Sequence, residues 1–200
     1  MSAHLPRLVV ASSNPGKLTE LGALLAGLAA EIVPQSALGI SPAAETALTF
    51  ADNALLKARH AARFSGSAAL ADDSGLEVDA LGGEPGVHSA RYAGQGASAL
   101  ANNTKLLEAL AATPEPRRAR YRCVIALVMG ADDPAPLLAA GSWEGRIAFA
   151  PRGTGGFGYD PLFLVGEGAL TAAELPPEVK NRISHRALAL RALTTGLGRT

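Results

Sequence analysis

A predicted transition from strand to helix lies in the stretch Leu8-Val9-Val10-Ala11-Ser12-Ser13-Asn14-Pro15-Gly16-Lys17. Residues 8–11 are a short apolar run typical of a buried strand, and leucines recur at helical spacing from Leu18 onward. Residues 12–17 are therefore expected to turn from a strand into a helix. Backbone amides at such a turn point outward at the positive end of the helix dipole, so the stretch offers a place for an anion.

Outward from this stretch, apolar runs and turn residues predict a mixed sheet. Strands are expected at residues 8–11, 31–33, 68–71, 120–129, 137–149 and 161–165. Helices are expected after residue 17, over residues 49–64, from Ser98 to about residue 113, and after Ser184. The two longest strands are separated by a short turn, which favours an antiparallel hairpin, and residues 72–96 are expected to form one long loop. The pattern predicts an α/β fold with a mixed central sheet flanked by helices.

Composition narrows the function classes. The 200 residues suit a single domain over 1–200, without a linker or a low-complexity run. A formal net charge of zero excludes the basic field that a nucleic-acid polymer requires. No apolar run approaches the roughly 18 residues of a membrane span, and the N-terminus does not resemble a signal peptide, so we expect a cytoplasmic protein without a membrane partner. The single cysteine, Cys123, is expected to be a buried strand residue.

Two adjacent carboxylates stand in Ala71-Asp72-Asp73-Ser74-Gly75, where an apolar run meets a glycine. Because side chains alternate across a strand, Asp72 and Asp73 are expected to point in different directions, one toward a site and one bracing the turn. An Asx turn or a helix cap is the alternative explanation. A carboxylate such as Glu45 or Asp73 is repelled by a triphosphate unless a bridging Mg²⁺ joins them, and an Asp beside such a metal is able to deprotonate an attacking water.

Other polar positions add to the indication of phosphate chemistry. Most cations are arginines, so the few lysines, among them Lys17 and Lys180, mark places for a compact point charge such as a phosphate contact. On the second predicted helix, Asn53 and Lys57 are four residues apart and share a face. Residues 12–17 lack the frame of a Walker A loop, and the glycine-rich residues 153–158 do not stand between a strand and a helix as a dinucleotide-binding motif does.

The glycine-rich segment and the last helix each have two interpretations. Phe157 and Tyr159 either stack on a base or belong to the core, and Asp160 either accepts a hydrogen bond from a base edge or caps the turn at Pro161. His185-Arg186 is either part of a site or the polar first turn of the last helix.

Six motifs, taken in order, resemble the inosine triphosphate pyrophosphatase family. The resemblance runs from about residue 8 to residue 195, and although each motif is weak alone, the ordered set is specific. The motifs are Ser12-x-Asn14-x-x-Lys17, Thr49-Phe50-x-x-Asn53-Ala54-x-x-Lys57-Ala58, Ala71-Asp72-Asp73-Ser74-Gly75, Pro85-Gly86-Val87-His88-Ser89-Ala90-Arg91-Tyr92, the run from Gly153 to Pro161, and Ser184-His185-Arg186. Ser12 stands where many relatives have threonine, and the hydroxyl is kept.

The resemblance implies hydrolysis of deaminated purine nucleoside triphosphates (ITP, dITP and XTP) to the monophosphate and pyrophosphate with Mg²⁺. It also implies an α/β fold of two lobes around a substrate cleft, and a homodimer. By position it assigns the metal to Glu45 and Asp73, and proton acceptance to Asp73, with Asp72 left open as a second participant. The substrate-binding residues that it implies are Ser12, Ser13, Asn14, Pro15, Gly16, Lys17, Ser74, Phe157, Gly158, Tyr159, Asp160, Lys180, His185 and Arg186.

Two other classes compete with this interpretation. A Maf-type pyrophosphatase shares the fold but acts on modified pyrimidine or methylated nucleotides, and its Ser-Pro-Arg-Arg-like opening loop is absent here. A catalytically silent nucleotide-binding module is the second alternative, and pyrophosphate release from ITP separates it from an enzyme. The ranking of ITP, dITP and XTP, and the replacement of Mg²⁺ by Mn²⁺, stay open.

Overall fold

A computed structural model describes residues 5–25 and 29–197. Six strands form one sheet in the order β2-β1-β3-β4-β5-β6. The strands are β1 (Leu5–Val10), β2 (Ala29–Pro34), β3 (Ala68–Val78), β4 (Arg118–Val128), β5 (Leu137–Ile147) and β6 (Phe163–Val165). The helices are α1 (Pro15–Leu24), α2 (Phe50–Ser65), α3 (Ala99–Ala109), α4 (Pro177–Ile183) and α5 (His185–Leu197).

The sheet is mixed, which confirms the predicted α/β class. Strand β1 runs parallel to both β2 and β3, with Val10 paired to Leu70 of β3. Strands β5 and β6 are antiparallel, with Ile147 paired to Phe163. The predicted hairpin strands, β4 and β5, are neighbours in the sheet. Because β1 and β3 are parallel and Val10 pairs with Leu70, β1 ends and residues 12–17 begin at the level of the Asp72-Asp73 pair, which lies within β3.

The chain divides into two compact units. Unit 1 takes the described residues of Met1–Asp73, Cys123–Gly141 and Arg186–Thr200, and unit 2 takes Ser74–Arg122 and Ser142–His185. One buried cluster of unit 1 joins β1, α1, β4 and α5 through aliphatic residues such as Leu8, Leu21 and Leu190. Cys123 lies in this cluster and is fully buried, as predicted.

A second cluster of unit 1 is built from alanines. Helix α2 buries Ala54, Ala58, Ala61 and Ala62 together with β-strand residues that include Val9. Because alanine has a single methyl group, the helix backbone lies close to the sheet. This closeness lets the polar residues on the same helical face, described below, reach the strand.

The core of unit 2 is aromatic. Tyr121, Trp143 and Phe163 pack with Leu76 and Leu106 in one buried cluster. The ring centroids of Tyr121 and Phe163 lie 4.6 Å apart, within the distance at which aromatic pairs attract. Tyr159 belongs to this cluster and is buried.

One predicted loop is partly wrong. Residues 72–78, expected to open the loop over 72–96, continue strand β3, and Gly75 lies within the strand. The strand continues because cations neutralise both buried carboxylates, so neither aspartate needs to turn outward to water. The remainder of the predicted loop holds short 3₁₀ turns at Asp79–Leu81 and Gly86–Arg91. Helix α4 was not predicted, since it begins at the second proline of Pro176-Pro177 and its seven residues are too few for a periodic pattern.

Within the described residues, no helix is both long and apolar enough to cross a membrane. The expectation that the N-terminus is not a signal peptide includes residues 1–4, which lie outside the described part of the chain.

Candidate active site

The acidic cluster of unit 1, defined as Glu45, Asp72 and Asp73, is organised by lysines. The Lys57 Nζ lies 2.8 Å from Asp73 Oδ1 and 2.7 Å from Glu45 Oε1. Lys57 and Asp73 are both buried, whereas the Glu45 side chain keeps 31% of its exposure. One ammonium group therefore holds two carboxylates close together at a partly open position.

Asn53 fixes both sides of this arrangement. Its Nδ2 donates to Asp73 Oδ2 at 3.3 Å, and it also donates to the Ala47 carbonyl at 3.3 Å. Its Oδ1 accepts from the Ala47 N–H at 3.0 Å. Because Asn53 and Lys57 are four residues apart on the buried face of α2, one helix positions the loop that carries Glu45 and the strand that carries Asp73.

Helix α2 has well-defined ends, which makes this placement rigid. The Thr49 side chain accepts from the Asp52 N–H at 3.1 Å, as an N-cap does, and its hydroxyl donates to the Asp52 carboxylate at 2.6 Å. At the other end Gly66 takes a left-handed conformation with φ of 64°, which glycine adopts without strain.

Asp72 contacts a different set of cations. The Lys17 Nζ lies 3.0 Å from Asp72 Oδ2, and the Arg186 Nε and Nη2 donate to the same oxygen at 3.2 Å. Arg186 also donates through Nη1 to Glu20 of α1. Asp72 and Arg186 are each 1% exposed. The adjacent aspartates therefore use separate partners, as expected for side chains on opposite faces of a strand.

Residues 12–17 form the predicted turn into α1. Asn14 is the N-cap, and its Oδ1 accepts from the Lys17 N–H at 3.2 Å. The Ser12 Oγ accepts from the Asn14 N–H at 3.3 Å, and Pro15 opens the helix. Ser12 is buried, whereas Ser13, Asn14 and Pro15 are exposed and Gly16 is half-buried. The turn thus presents the start of a helix at the surface of unit 1.

The electrostatics separate the two aspartates. Burial raises the pKa of Asp73 above its ordinary value, although the charge of Lys57 opposes this shift. Burial also disfavours ionised Asp72, but the charges of Lys17, Arg186 and Lys57 outweigh it and hold the pKa of Asp72 well below its usual range. Burial lowers the pKa of Lys57, but the carboxylates of Asp73, Asp72 and Glu45 raise it by more. The net change is a rise, so Lys57 stays charged. Asp73 is therefore the better proton acceptor of the pair.

The segment Phe157–Asp160 of unit 2 is here named the aromatic loop, and hydrogen bonds to the carboxylate of Asp160 hold it in place. Asp160 Oδ2 accepts from Lys180 Nζ at 2.6 Å and from the Phe157 N–H at 2.7 Å, and Oδ1 accepts from the Tyr121 hydroxyl at 3.2 Å. Lys180 Nζ also lies 4.9 Å from the Phe157 ring centroid, within cation–π distance. Asp160 is 2% exposed, so this carboxylate organises the loop from inside.

Gly156 is required beside that carboxylate. Its φ is 69°, and a Cβ built on it would lie 2.1 Å from Asp160 Oδ2. At the centre of the loop, the Tyr159 hydroxyl donates to the Ser89 carbonyl at 2.8 Å. Of the two interpretations of the aromatic residues, Tyr159 belongs to the core, whereas Phe157 is half-buried.

His185 is the last residue of unit 2, and it packs against Tyr121, the residue whose hydroxyl donates to Asp160. Its ring stacks on Tyr121 with centroids 4.6 Å apart and an interplanar angle of 11°. His185 is buried, as is Ser184, and Arg186 is the next residue along α5. The described contacts of Arg186 are with the carboxylates of unit 1 given above.

The predicted residues therefore gather in two sets. Unit 1 brings together Glu45, Asp73, Asp72, Lys17 and Arg186, and unit 2 brings together Phe157, Asp160 and Lys180. Ser74 follows Asp73 on β3 and is half-buried. The predicted site did not include Asn53, Lys57, Glu20 and Tyr121. The four-residue spacing of Asn53 and Lys57 was a usable signal. Glu20 pairs with Arg186, which is distant in sequence, so no local pattern indicated it.

The donor set of the acidic cluster fits a hard divalent cation. Glu45 and Asp73 already share one cation, the Lys57 ammonium, and Mg²⁺ commonly binds through one or two carboxylates with phosphate oxygens and water. The described residues contain no group of three or more His, Cys, Asp or Glu side chains able to hold a metal on their own. A metal at these two carboxylates would take its remaining ligands from water or from a bound phosphate.

Comparisons with known proteins agree with this chemistry. The model of the Ham1 family matches residues 8–196. The chain is 59% identical to a dITP/XTP pyrophosphatase of Methylococcus capsulatus, with 95% of this chain and 98% of that protein covered. It is 58% identical to a dITP/XTP pyrophosphatase of Xanthomonas campestris pv. campestris, covering 94% and 96%. The structure of a HAM1 protein from Coxiella burnetii matches with a TM-score of 0.88 and 49% identity, covering 97% and 99%.

Proposed function

The chain belongs to the Ham1 family, and from this premise we propose its reaction: it hydrolyses deaminated purine nucleoside triphosphates to the monophosphate and pyrophosphate. It is a nucleoside triphosphate pyrophosphatase that acts on ITP, dITP and XTP and removes them from the nucleotide pool. The observation that carries the proposal is the Lys57-centred pair of carboxylates next to Asp72, which Lys17 from the first turn of α1 contacts at 3.0 Å, since this arrangement suits a phosphate anhydride and its metal. The two relatives named above carry dITP/XTP names, and neither carries a Maf-type name.

For the chemical step we propose Asp73 as the proton acceptor. Its raised pKa brings it nearer to the pH at which a carboxylate takes a proton from water effectively. Lys57 and Asn53 hold the two Asp73 oxygens, so the carboxylate keeps one orientation. Ser74 follows it on the same strand and is proposed to contact the substrate.

We propose that Glu45 and Asp73 hold a divalent cation, which is Mg²⁺. When bound, the metal neutralises phosphate charge and lowers the pKa of a coordinated water. Lys57 keeps the two carboxylates together and offsets their mutual repulsion. Residues 12–17 are proposed to bind the phosphates through backbone donors, the Ser12 hydroxyl and Lys17, whose ammonium also contacts Asp72.

For the base we propose the aromatic loop with Lys180 and His185-Arg186. The half-buried Phe157 ring suits stacking on a purine. The Phe157 and Asp160 N–H groups donate within the loop, so the Gly158 and Tyr159 N–H groups are the ones proposed to donate to the C6 oxygen of hypoxanthine and xanthine. Adenine presents an amino group at C6, so its N–H donors would meet the N–H donors of the loop and no hydrogen bond would form. For Arg186 the resemblance is the support, because its described partners are Asp72 and Glu20.

Three wider properties also stay proposals. Both units belong to one pyrophosphatase domain, since the family model spans segments of each. The enzyme works as a homodimer, as the resemblance implies, and light scattering of the purified protein tests this. It acts in the cytoplasm, where a nucleotide-pool enzyme meets its substrate.

The decisive experiment is product analysis with purified protein. We expect ITP and XTP to yield pyrophosphate and the monophosphate, with kcat/KM at least about 10²-fold above that for ATP and GTP, because specific hydrogen bonds discriminate strongly. Orthophosphate release would indicate a different phosphatase, and comparable kcat/KM for GTP and ITP would refute the proposed specificity.

A further inference from the structure

Two adjacent asparagines on helix α3 of unit 2 are used differently. Both polar atoms of the Asn102 amide have hydrogen-bond partners. Its Oδ1 accepts from the Ala93 N–H at 2.8 Å, and its Nδ2 donates to the Ala90 carbonyl at 3.2 Å. Asn103 donates through Nδ2 to the Gly158 carbonyl at 3.1 Å. Its Oδ1 is buried and accepts no hydrogen bond from any group in the described part of the chain.

The orientation of the Asn103 amide follows from its partner. Exchanging the amide nitrogen and oxygen would set an oxygen against the Gly158 carbonyl, and two acceptors repel. A buried acceptor without a donor is unfavourable, and folded proteins keep few of them. The other buried residues of α3 are Asn102, whose amide is paired at both of its atoms, and the apolar Leu106. The asparagine at position 103 therefore carries a cost in stability, and what it provides in return, which a leucine would lack, is the donor to the Gly158 carbonyl.

Gly158 is the position in the aromatic loop that most needs such a restraint. Its φ of 64° is left-handed, and glycine moves between backbone conformations more freely than other residues. The loop end at Asp160 is tied to Tyr121 and Lys180, and Tyr159 is tied to Ser89. Asn103 fixes the peptide between the Phe157 ring and these anchors, so it sets the direction of the ring and of the neighbouring amides.

We propose that Asn103 is a positioning residue for base discrimination, acting through the Gly158 carbonyl. This inference rests on the proposed function, because it concerns the loop assigned there to the base. The proposed role requires no contact between Asn103 and the nucleotide. Its consequence is that the loss of one buried amide donor changes which base is accepted more than it changes the speed of phosphate hydrolysis.

The experiment compares kcat and KM for ITP and GTP in the wild-type enzyme and two variants. Asn103→Asp keeps the shape and replaces the donor by an acceptor, and Asn103→Leu removes the buried oxygen as well as the donor. Thr104→Leu, an exposed position on the same helix, is the matched control. Urea unfolding midpoints are measured for all four proteins. If the aspartate variant fails to fold, the leucine variant carries the test.

We expect both variants to lower the ITP-to-GTP ratio of kcat/KM by about tenfold or more, mainly through a higher KM for ITP, with kcat within about threefold of wild type. Thr104→Leu should change neither quantity. An unchanged ratio in a folded variant would overturn the inference, as would a parallel loss for both nucleotides that follows the urea midpoint. A wild-type enzyme inactive on ITP would instead refute the proposed function, and the inference with it.

Discussion

Replacing Asp73 by asparagine should abolish catalysis while the protein stays folded. The change keeps the side-chain shape, so the hydrogen bond from Asn53 persists through the remaining carbonyl oxygen. It removes the charge that Lys57 contacts at 2.8 Å, but Glu45 stays 2.7 Å from the same ammonium. Losing a hydrogen bond to a charged group costs about 1.5–3 kcal/mol. The raised pKa of Asp73 shows that burial disfavours its charge, and relief of that burial penalty offsets part of the cost, so we expect the free energy of unfolding to fall by less than about 2 kcal/mol. That leaves a typical domain folded.

The catalytic effect of the same change should be larger. Loss of a general base lowers kcat by about 10²–10⁴-fold, which is about 3–5 kcal/mol in the activation free energy. The assay is pyrophosphate release from saturating ITP with Mg²⁺, beside a urea unfolding curve of each protein. A folded Asp73→Asn enzyme with more than about a tenth of the wild-type kcat would refute Asp73 as the proton acceptor.

Asp72→Asn is the matched control, because the adjacent residue has the same side chain and a different environment. The change removes the carboxylate that Lys17 and Arg186 share, although Arg186 keeps Glu20. Breaking a buried ion pair costs about 3–5 kcal/mol, and we expect the lower end. The expected pattern is therefore a greater stability loss for Asp72→Asn and a greater loss of kcat for Asp73→Asn. The reverse pattern would exchange the two roles.

The other predictions concern the metal, the phosphates, the aromatic loop and the core. Excess chelator should abolish activity and Mg²⁺ should restore it, and Glu45→Gln should raise the Mg²⁺ concentration that gives half-maximal rate; full activity in chelator would refute the metal proposal. Lys17→Ala should lower kcat/KM by a similar factor for ITP and XTP, and a base-dependent effect would argue against a phosphate contact. Gly156→Ala should raise KM for ITP at least about tenfold, because its Cβ would meet Asp160 Oδ2 at 2.1 Å; an unchanged KM would show that the loop adapts. Cys123, fully buried and with its thiol pKa raised by burial to about 12, should react with iodoacetamide only after unfolding, as mass spectrometry will show.

Local patterns predicted the parts of the fold whose causes are local. The strand predicted at residues 8–11, the turn after it and the capped start of α1 follow from one apolar run, Asn14 and Pro15. The structure has the strand over Leu5–Val10, and α1 begins at Pro15 with Asn14 as its cap. Thr49 and Gly66 likewise mark the ends of α2, because a cap and a left-handed glycine are properties of single residues.

The length of β3 was not predictable in the same way. Two aspartates and a glycine after residue 71 are typical of a turn, and the strand continues because Lys17, Lys57 and Arg186 meet those aspartates from other parts of the chain. Arg186 lies 114 residues from Asp72 in sequence, so no local pattern contains the pair. The same limit applies to Asn103, whose partner Gly158 is 55 residues away.

The adjacent aspartates differ in pKa because successive side chains of a strand point to opposite faces of the sheet. Asp72 and Asp73 have the same intrinsic acidity, and burial disfavours the charge of both. On one face Lys17 and Arg186 add two cations near Asp72, so its pKa falls and it serves as a permanent counter-ion. On the other face Lys57 divides its charge between Asp73 and Glu45, so burial prevails and the pKa of Asp73 rises. Two carboxylates whose environments push their pKa values apart are suited to separate roles. In this chain the counter-ion Asp72 and the proposed proton acceptor Asp73 are therefore adjacent residues of one strand.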